Sequence, residues 1–304
     1  MSVIHAHQLP APNATRHQQL IGAWLASYGS ENTRASYRRD AILFCTFLDA
    51  AGLDLLEVRR AHLDVFARTR TQAGDMDTTL GRRIAAVSAL YKYALTVDAI
   101  AANPADFVRR PKISADETTT AALTRREAMR LLEAAEAHSA RSHALVDLLL
   151  STGVRISEAL TARTSGLSSD RLVIRRKGGK KAVIYLPEHT VTALRTMTGA
   201  TGDELALGLE RDGLIFTTRT GRPWPRNNAH TTLTTLARRA GIEKKMSSHV
   251  LRHTHATLAL ELGVPLHHLQ DSLGHADPRT TRRYDHSRRR LANSSAHQVG
   301  KLFA

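Results

Sequence analysis

Apolar residues in the first hundred positions recur at helical spacing, and the pattern stops at Asn103-Pro104, ahead of a stretch with almost nothing to bury. That break constrains the chain most, because it calls for two separately folded regions joined by a polar passage. In the first region Leu20, Ile21, Trp24, Leu25 and Tyr28 share a face until Gly29-Ser30 interrupts them. Tyr37, Ala41, Phe44 and Leu48 make a second stripe ended by Gly52. Leu63 and Phe66 mark a shorter helix, and Leu80, Ile84, Val87, Tyr91 and Ala94 a further one, with Arg82, Arg83 and Lys92 off its face. Amphipathic helices with short joints predict a small bundle whose stripes are core. Residues 1–15 read as a flexible tail, 16–111 as the bundle, 112–120 as the linker and 121–304 as a second domain with a tail from about 287.

The second region opens with Thr124-Arg125-Arg126-Glu127, which has the spacing of a capping box. Ala144 to Leu150 predicts a buried helix ended near Gly153. Leu172–Ile174 and Val183–Leu186 flank Lys177-Gly178-Gly179-Lys180, the pattern of two strands around a turn that needs positive φ. Leu214 to Thr217 is a candidate third strand. From Ala229 onward the spacing is helical again, broken at Gly241, Gly263 and Gly274. The expected fold is mainly α with a small antiparallel β-sheet.

Charge narrows the partner. Lys and Arg number 43 against 28 acidic residues, a formal charge of +15 spread along the whole chain. Such a surplus on a folded protein fits a polyanion, because each neutralised phosphate releases counterions. A solvated basic surface with no nucleic-acid role is the alternative. Cys45 is the single cysteine, so no intrachain disulfide exists, and its apolar neighbours make it a small core residue. No apolar run reaches the ~20 residues of a membrane span, and Met1 to Arg16 lacks the apolar core of a signal peptide. A cytoplasmic protein, nucleoid-associated when bound to DNA, is expected.

The candidate chemistry lies in the second region. In Thr152-Gly153-Val154-Arg155-Ile156-Ser157-Glu158, Arg155 stands where a helix begins and Glu158 lies one turn on. A guanidinium fork matches two oxygens of a phosphodiester, although an arginine so close to a glutamate can equally be its structural partner. Lys177 on the tight turn could give a proton to a leaving oxygen, but lysines beside glycines are commonly solvated, and Lys180 and Lys181 compete with it. In His249-Val250-Leu251-Arg252-His253, His249 and Arg252 share a helical face while Val250 and Leu251 turn to the core. His249, His253 and His255 raise zinc, yet no glutamate follows His249 and no cysteines support a site, so no metal is assigned. Last come Leu273-Gly274-His275 and, nine residues later, Tyr284 within Arg282-Arg283-Tyr284-Asp285-His286.

Taken in order, these residues closely resemble the tyrosine recombinase, or phage integrase, family. The match runs through Arg155, Lys177, His249, Arg252, His275 and Tyr284, with Glu158 at the family's acidic position. Thr-Gly before Arg155, Leu-Arg-His at Leu251–His253 and Leu-Gly-His at Leu273–His275 agree as well. The first region resembles the family's SAM-like core-binding domain, including its Asn-Pro exit. The resemblance implies attack by Tyr284 on a DNA phosphate, Arg155 and Arg252 as a clamp with His275 as a further donor, Lys177 as the acid, His249 as the base and Glu158 in support. No cofactor is needed.

The resemblance also implies two domains clamping double-stranded DNA at a specific core site, and a homo-tetramer on two sites linked by exchanged C-terminal tails. An accessory directionality factor is a candidate partner. Arg82, Arg83, Arg109, Arg110, Lys112, Arg175, Arg176, Lys180 and Lys181 are candidate phosphate contacts. The arginines around Tyr284 point to the integrase or excisionase of a phage or other mobile element. The alternatives are a chromosome-dimer-resolving recombinase of the Xer type, a type IB topoisomerase, and a DNA-binding regulator without catalysis.

Overall fold

Helix signals in the sequence become helices with matching ends. The computed structural model describes residues 15–109, 111, 122–176, 178–198 and 212–274. The chain divides into two compact units, Met1–Ser114 and Ala115–Ala304. The expected terminal tails and the linker 112–120 lie outside the described residues, apart from Thr15. Among the described residues no helix is long and apolar enough to cross a membrane.

The first unit holds α1 (Arg16–Ala26), α2 (Glu31–Ala50), α3 (Arg60–Gln72) and α4 (Asp77–Thr96). Thr15 caps α1 in a reciprocal box with Gln18, and the Ser30 side chain accepts from the Thr33 N–H at the start of α2. The stripes meet in an aromatic core. Trp24 stacks on Tyr37 with ring centroids 5.2 Å apart, and Phe44 meets Phe66 edge-on at 5.0 Å. Phe44, Phe66, Leu90 and Tyr91 are wholly enclosed, and full burial of such side chains contributes about 1.5–3 kcal/mol each. The Tyr91 hydroxyl donates to Leu55 O at 3.0 Å, which satisfies its polar end. Cys45 is partly buried against this core, and burial followed by the Asp49 charge pushes its thiol up to about 11.

The second unit opens with α5 (Arg125–Glu136), whose Thr124–Glu127 capping box is formed. Then come α6 (Ala140–Thr152), the short α7 (Ile156–Leu160), strands β1 (Arg171–Arg175) and β2 (Lys181–Tyr185), α8 (Glu188–Thr198), α9 (Arg226–Arg239), α10 (Ser248–Glu261) and α11 (Leu266–Leu273). The strands pair antiparallel with Val173 opposite Val183. Helix α6 is the unit's axis: Leu145, Val146, Leu148 and Leu149 are enclosed, and α5, α8 and α10 pack around it. The expected third strand is absent as a strand. Leu214 and Thr217 make single bridges, to Arg163 and Pro223, while Ile215 and Phe216 point into the core. Two adjacent buried side chains break the alternation a half-buried strand requires.

Candidate active site

Two helix ends, those of α6 and α11, meet at one arginine. Helix α6 ends at Gly153, whose φ of +63° terminates the helix in the left-handed region. A β-carbon there would come within 2.7 Å of His255 and of Leu273, so the position excludes a side chain on two grounds. Beyond this turn Arg155 stands at the N-cap of α7. Glu158, buried on the next turn, accepts from the Arg155 N–H at 3.0 Å and from its Nη1 at 2.8 Å. The structural pairing is formed: the carboxylate fixes Arg155 at both backbone and guanidinium, and the side chain keeps about a third of its surface open.

Arg252 lies deeper than helical spacing implied. Its exposure is 4 %, against 3 % for Val250, because α10 is wedged between α6 and α11. Nη1 donates to Gly153 O at 2.6 Å and Nη2 to Leu273 O at 2.8 Å. One guanidinium thus ties the end of α6, just before Arg155, to the end of α11, just before His275. The planar fork suits this because its N–H vectors are fixed relative to one another.

His249 begins the same helix and borders a cavity of about 320 Å³ that Ile156, Arg226, Asn227, His230 and Ser247 also line. Partial burial of the ring, and then the charges of Arg226, Arg252 and Arg155, hold its pKa below the ordinary histidine value. The neutral imidazole that results is the form able to accept a proton. Arg226, at the first position of α9, carries no motif in the sequence and is recognised as a site residue only through its charge on His249.

His255 has a structural role. Its Nδ1 lies 2.9 Å from Leu150 O and acts as the donor there, the ring fills the space above Gly153, and burial lowers its pKa. Among the described residues no group of three or more His, Cys, Asp or Glu side chains could hold a metal ion.

The candidate phosphate contacts divide. Arg109, Arg175, Lys180 and Lys181 are exposed. Arg82 is paired with the buried Asp40, Arg83 with Asp75, and the Arg176 guanidinium donates to Ser272 O at 2.9 Å. Lys177, His275, Tyr284, Arg110 and Lys112 lie outside the described residues.

Comparison with known proteins decides the family. The phage integrase family model matches residues 121–290, more than half of the chain, and the phage integrase N-terminal SAM-like domain matches residues 23–96. This chain belongs to the phage integrase family of tyrosine recombinases. It is similar to tyrosine recombinase XerD of Corynebacterium glutamicum, at 32% identity over 84% of this chain and 88% of that one. Its similarity to tyrosine recombinase XerC of Xanthomonas campestris pv. campestris is 31%, over 84% and 79%. Two solved structures share the fold. XerH recombinase bound to palindromic difH substrate has a TM-score of 0.72 at 19% identity, covering 97% of this chain and 91% of that one. A lambda integrase tetramer bound to a Holliday junction has 0.67 at 16%, covering 88% and 79%. The recombinase is accordingly an enzyme, a site-specific DNA strand transferase, and it acts on DNA.

Proposed function

We propose that this recombinase is of the Xer type and exchanges strands between two copies of a specific core site in duplex DNA, through a covalent link to Tyr284. The XerC and XerD relatives, similar over most of both chains, favour this reading over the mobile-element integrase suggested by the arginines around Tyr284. Those arginines belong to a basic surplus that any DNA enzyme can carry.

The Tyr284 phenol oxygen attacks the scissile phosphorus. The bond from phosphorus to the 5′ oxygen breaks, leaving a 3′-phosphotyrosyl link and a free 5′-hydroxyl. A tyrosine phenol has a pKa near ~10, so attack at neutral pH needs a proton acceptor, and the depressed pKa of His249 supports it in that role. Lys177 gives its proton to the departing 5′ oxygen. Arg155 and Arg252, with His275, meet the negative charge that grows on the non-bridging oxygens. Resealing reverses these steps with the 5′-hydroxyl of another strand. The link conserves the phosphodiester's energy, so no ATP is consumed. Four copies on two sites are the proposed assembly, as in the lambda integrase tetramer on its junction.

The observation that carries the catalytic reading is the pair of bonds from Arg252 to Gly153 O and Leu273 O, which joins three of the family's motifs at one guanidinium. The test is a nicked suicide substrate bearing a chromosomal palindromic core site, in EDTA, with Tyr284→Phe alongside. An SDS-resistant adduct formed only by the parent protein is expected. If a bound site yields no adduct, the covalent link through Tyr284 at that site is refuted. If adduct forms at a mobile-element attachment site and not at the chromosomal one, the Xer-type assignment fails.

A further inference from the structure

The backbone of Arg176 belongs to the β-hairpin. Its N–H donates to Lys180 O at 2.8 Å and its carbonyl accepts from the Gly179 N–H at 3.0 Å, closing a turn whose Gly178 and Gly179 have φ of +83° and +77°. Its side chain reaches elsewhere, to the end of α11. Nη2 donates to Ser272 O at 2.9 Å, and the guanidinium occupies the space a side chain on Gly274 would need, since a β-carbon built there collides with Arg176 Nη1 and Cζ. Gly274 is the left-handed cap of α11, with φ of +63°. Unsatisfied carbonyls at a helix C-terminus attract cations, so the contact is favourable.

The adjoining carbonyl, Leu273 O, is held by Arg252. One helix end is thus gripped by two arginines, one from the hairpin and one from the clamp. In the chain Lys177 directly follows Arg176, and His275 directly follows Gly274.

We propose that Arg176 is a positioning residue for strand cleavage: it pins the base of the hairpin, the element in whose turn the next residue of the chain is the candidate acid, to the C-terminal end of α11, beside the Leu273 carbonyl that Arg252 holds. The inference rests on Lys177 being the acid that protonates the leaving 5′ oxygen. Arg176 then acts through Lys177 and does not itself touch the DNA.

The experiment uses the full chain at saturating concentration on two suicide substrates. One has the ordinary 5′ oxygen at the scissile phosphate. The other has sulfur there, which departs as a thiolate without needing a proton. Arg176→Ala is expected to slow adduct formation about 10–100-fold on the oxygen substrate, a part of the 10²–10⁴ that general acids supply. On the sulfur substrate it should return to within a few-fold of the parent, and Arg176→Lys, which keeps a cation at the carbonyl, should recover part of the oxygen rate. Should Arg176→Ala not fold, Arg176→Gln carries the same comparison. Lys177→Ala separates the two layers of the claim. If sulfur fails to rescue Lys177→Ala, Lys177 is not the acid, and both readings fall. If sulfur rescues Lys177→Ala while the Arg176 variant stays equally slow on both substrates, or cuts the oxygen substrate at full rate, only the positioning role is overturned.

Discussion

Arginines bond both to carboxylates and to backbone carbonyls in each unit, with Arg34 on Tyr28 O in the first and Arg163 and Arg171 on Asp212 and Asp170 in the second. Arg70, Arg82 and Arg83 nevertheless differ in their partners from Arg176 and Arg252. In the helical bundle, Arg82 pairs with Asp40 and both Arg70 and Arg83 pair with Asp75, so positive charges are answered by carboxylates. In the catalytic unit, Arg252 and Arg176 donate to backbone carbonyls of Gly153, Leu273 and Ser272. A carbonyl orients a guanidinium without cancelling its charge, whereas a carboxylate does both. Pairing with carboxylates joins helices. Bonding to carbonyls fixes the plane of the guanidinium. Arg155 is intermediate, fixed by Glu158 yet partly open.

The sharpest way to break this contrast is Arg252→Lys. An ammonium keeps the charge but cannot span Gly153 O and Leu273 O in the same plane. Adduct formation should fall on the order of 10²–10³, the cost of losing a donor to developing negative charge. A rate near that of the parent would mean that charge alone suffices and that the carbonyl geometry is incidental.

Gly153→Ala tests the platform beneath that arginine. The left-handed φ and the approach of His255 and Leu273 should lower stability by about 2–4 kcal/mol, read from urea unfolding. Arg82→Ala probes the other unit. It strands the buried Asp40, but Arg82 is nearly half exposed, so the loss should be only about 1–2 kcal/mol. Cleavage by the folded fraction at saturating protein should stay at the parental rate, and a catalytic defect in that variant would erase the distinction between the units.

The smallest effect concerns pH. His249 has a depressed pKa and must be neutral to accept a proton, so activity rises with pH through that depressed value and is already high near the ordinary histidine value of 6.5. Arg226→Ala removes one of the charges that depress it. The acidic limb of kcat/KM for cleavage should therefore move to higher pH, and an unmoved limb would remove His249 or Arg226 from the account.

The sequence made the bundle legible because apolar spacing along one helix reports its buried face, as Trp24, Phe44 and Tyr91 show. It also exposed Arg155 and Glu158, which are three residues apart and meet directly. Periodicity could not reveal the depth of Arg252. That depends on helices packing from two sides and on an acceptor at Gly153, 99 residues earlier in the chain. The direction of the Arg176 side chain escaped for the same reason: its partner lies 96 residues away, and a basic residue beside a glycine turn reads as solvent-facing. Arg226 acts through space on His249 with no signature of its own. The strand expected at 214–217 was lost to two consecutive inward side chains, Ile215 and Phe216, which an apolar run alone does not distinguish from a strand.

The two acceptors of Arg252 also order events in time. A ribosome delivers Gly153 long before Leu273, and it delivers Arg252 itself 21 residues ahead of that second acceptor. A nascent or truncated chain that ends before α11 therefore holds its clamp by one side only. For an enzyme that cuts DNA, this works as a safety interlock: the arginine is squared up only once the chain has been made as far as α11 and has folded back on itself.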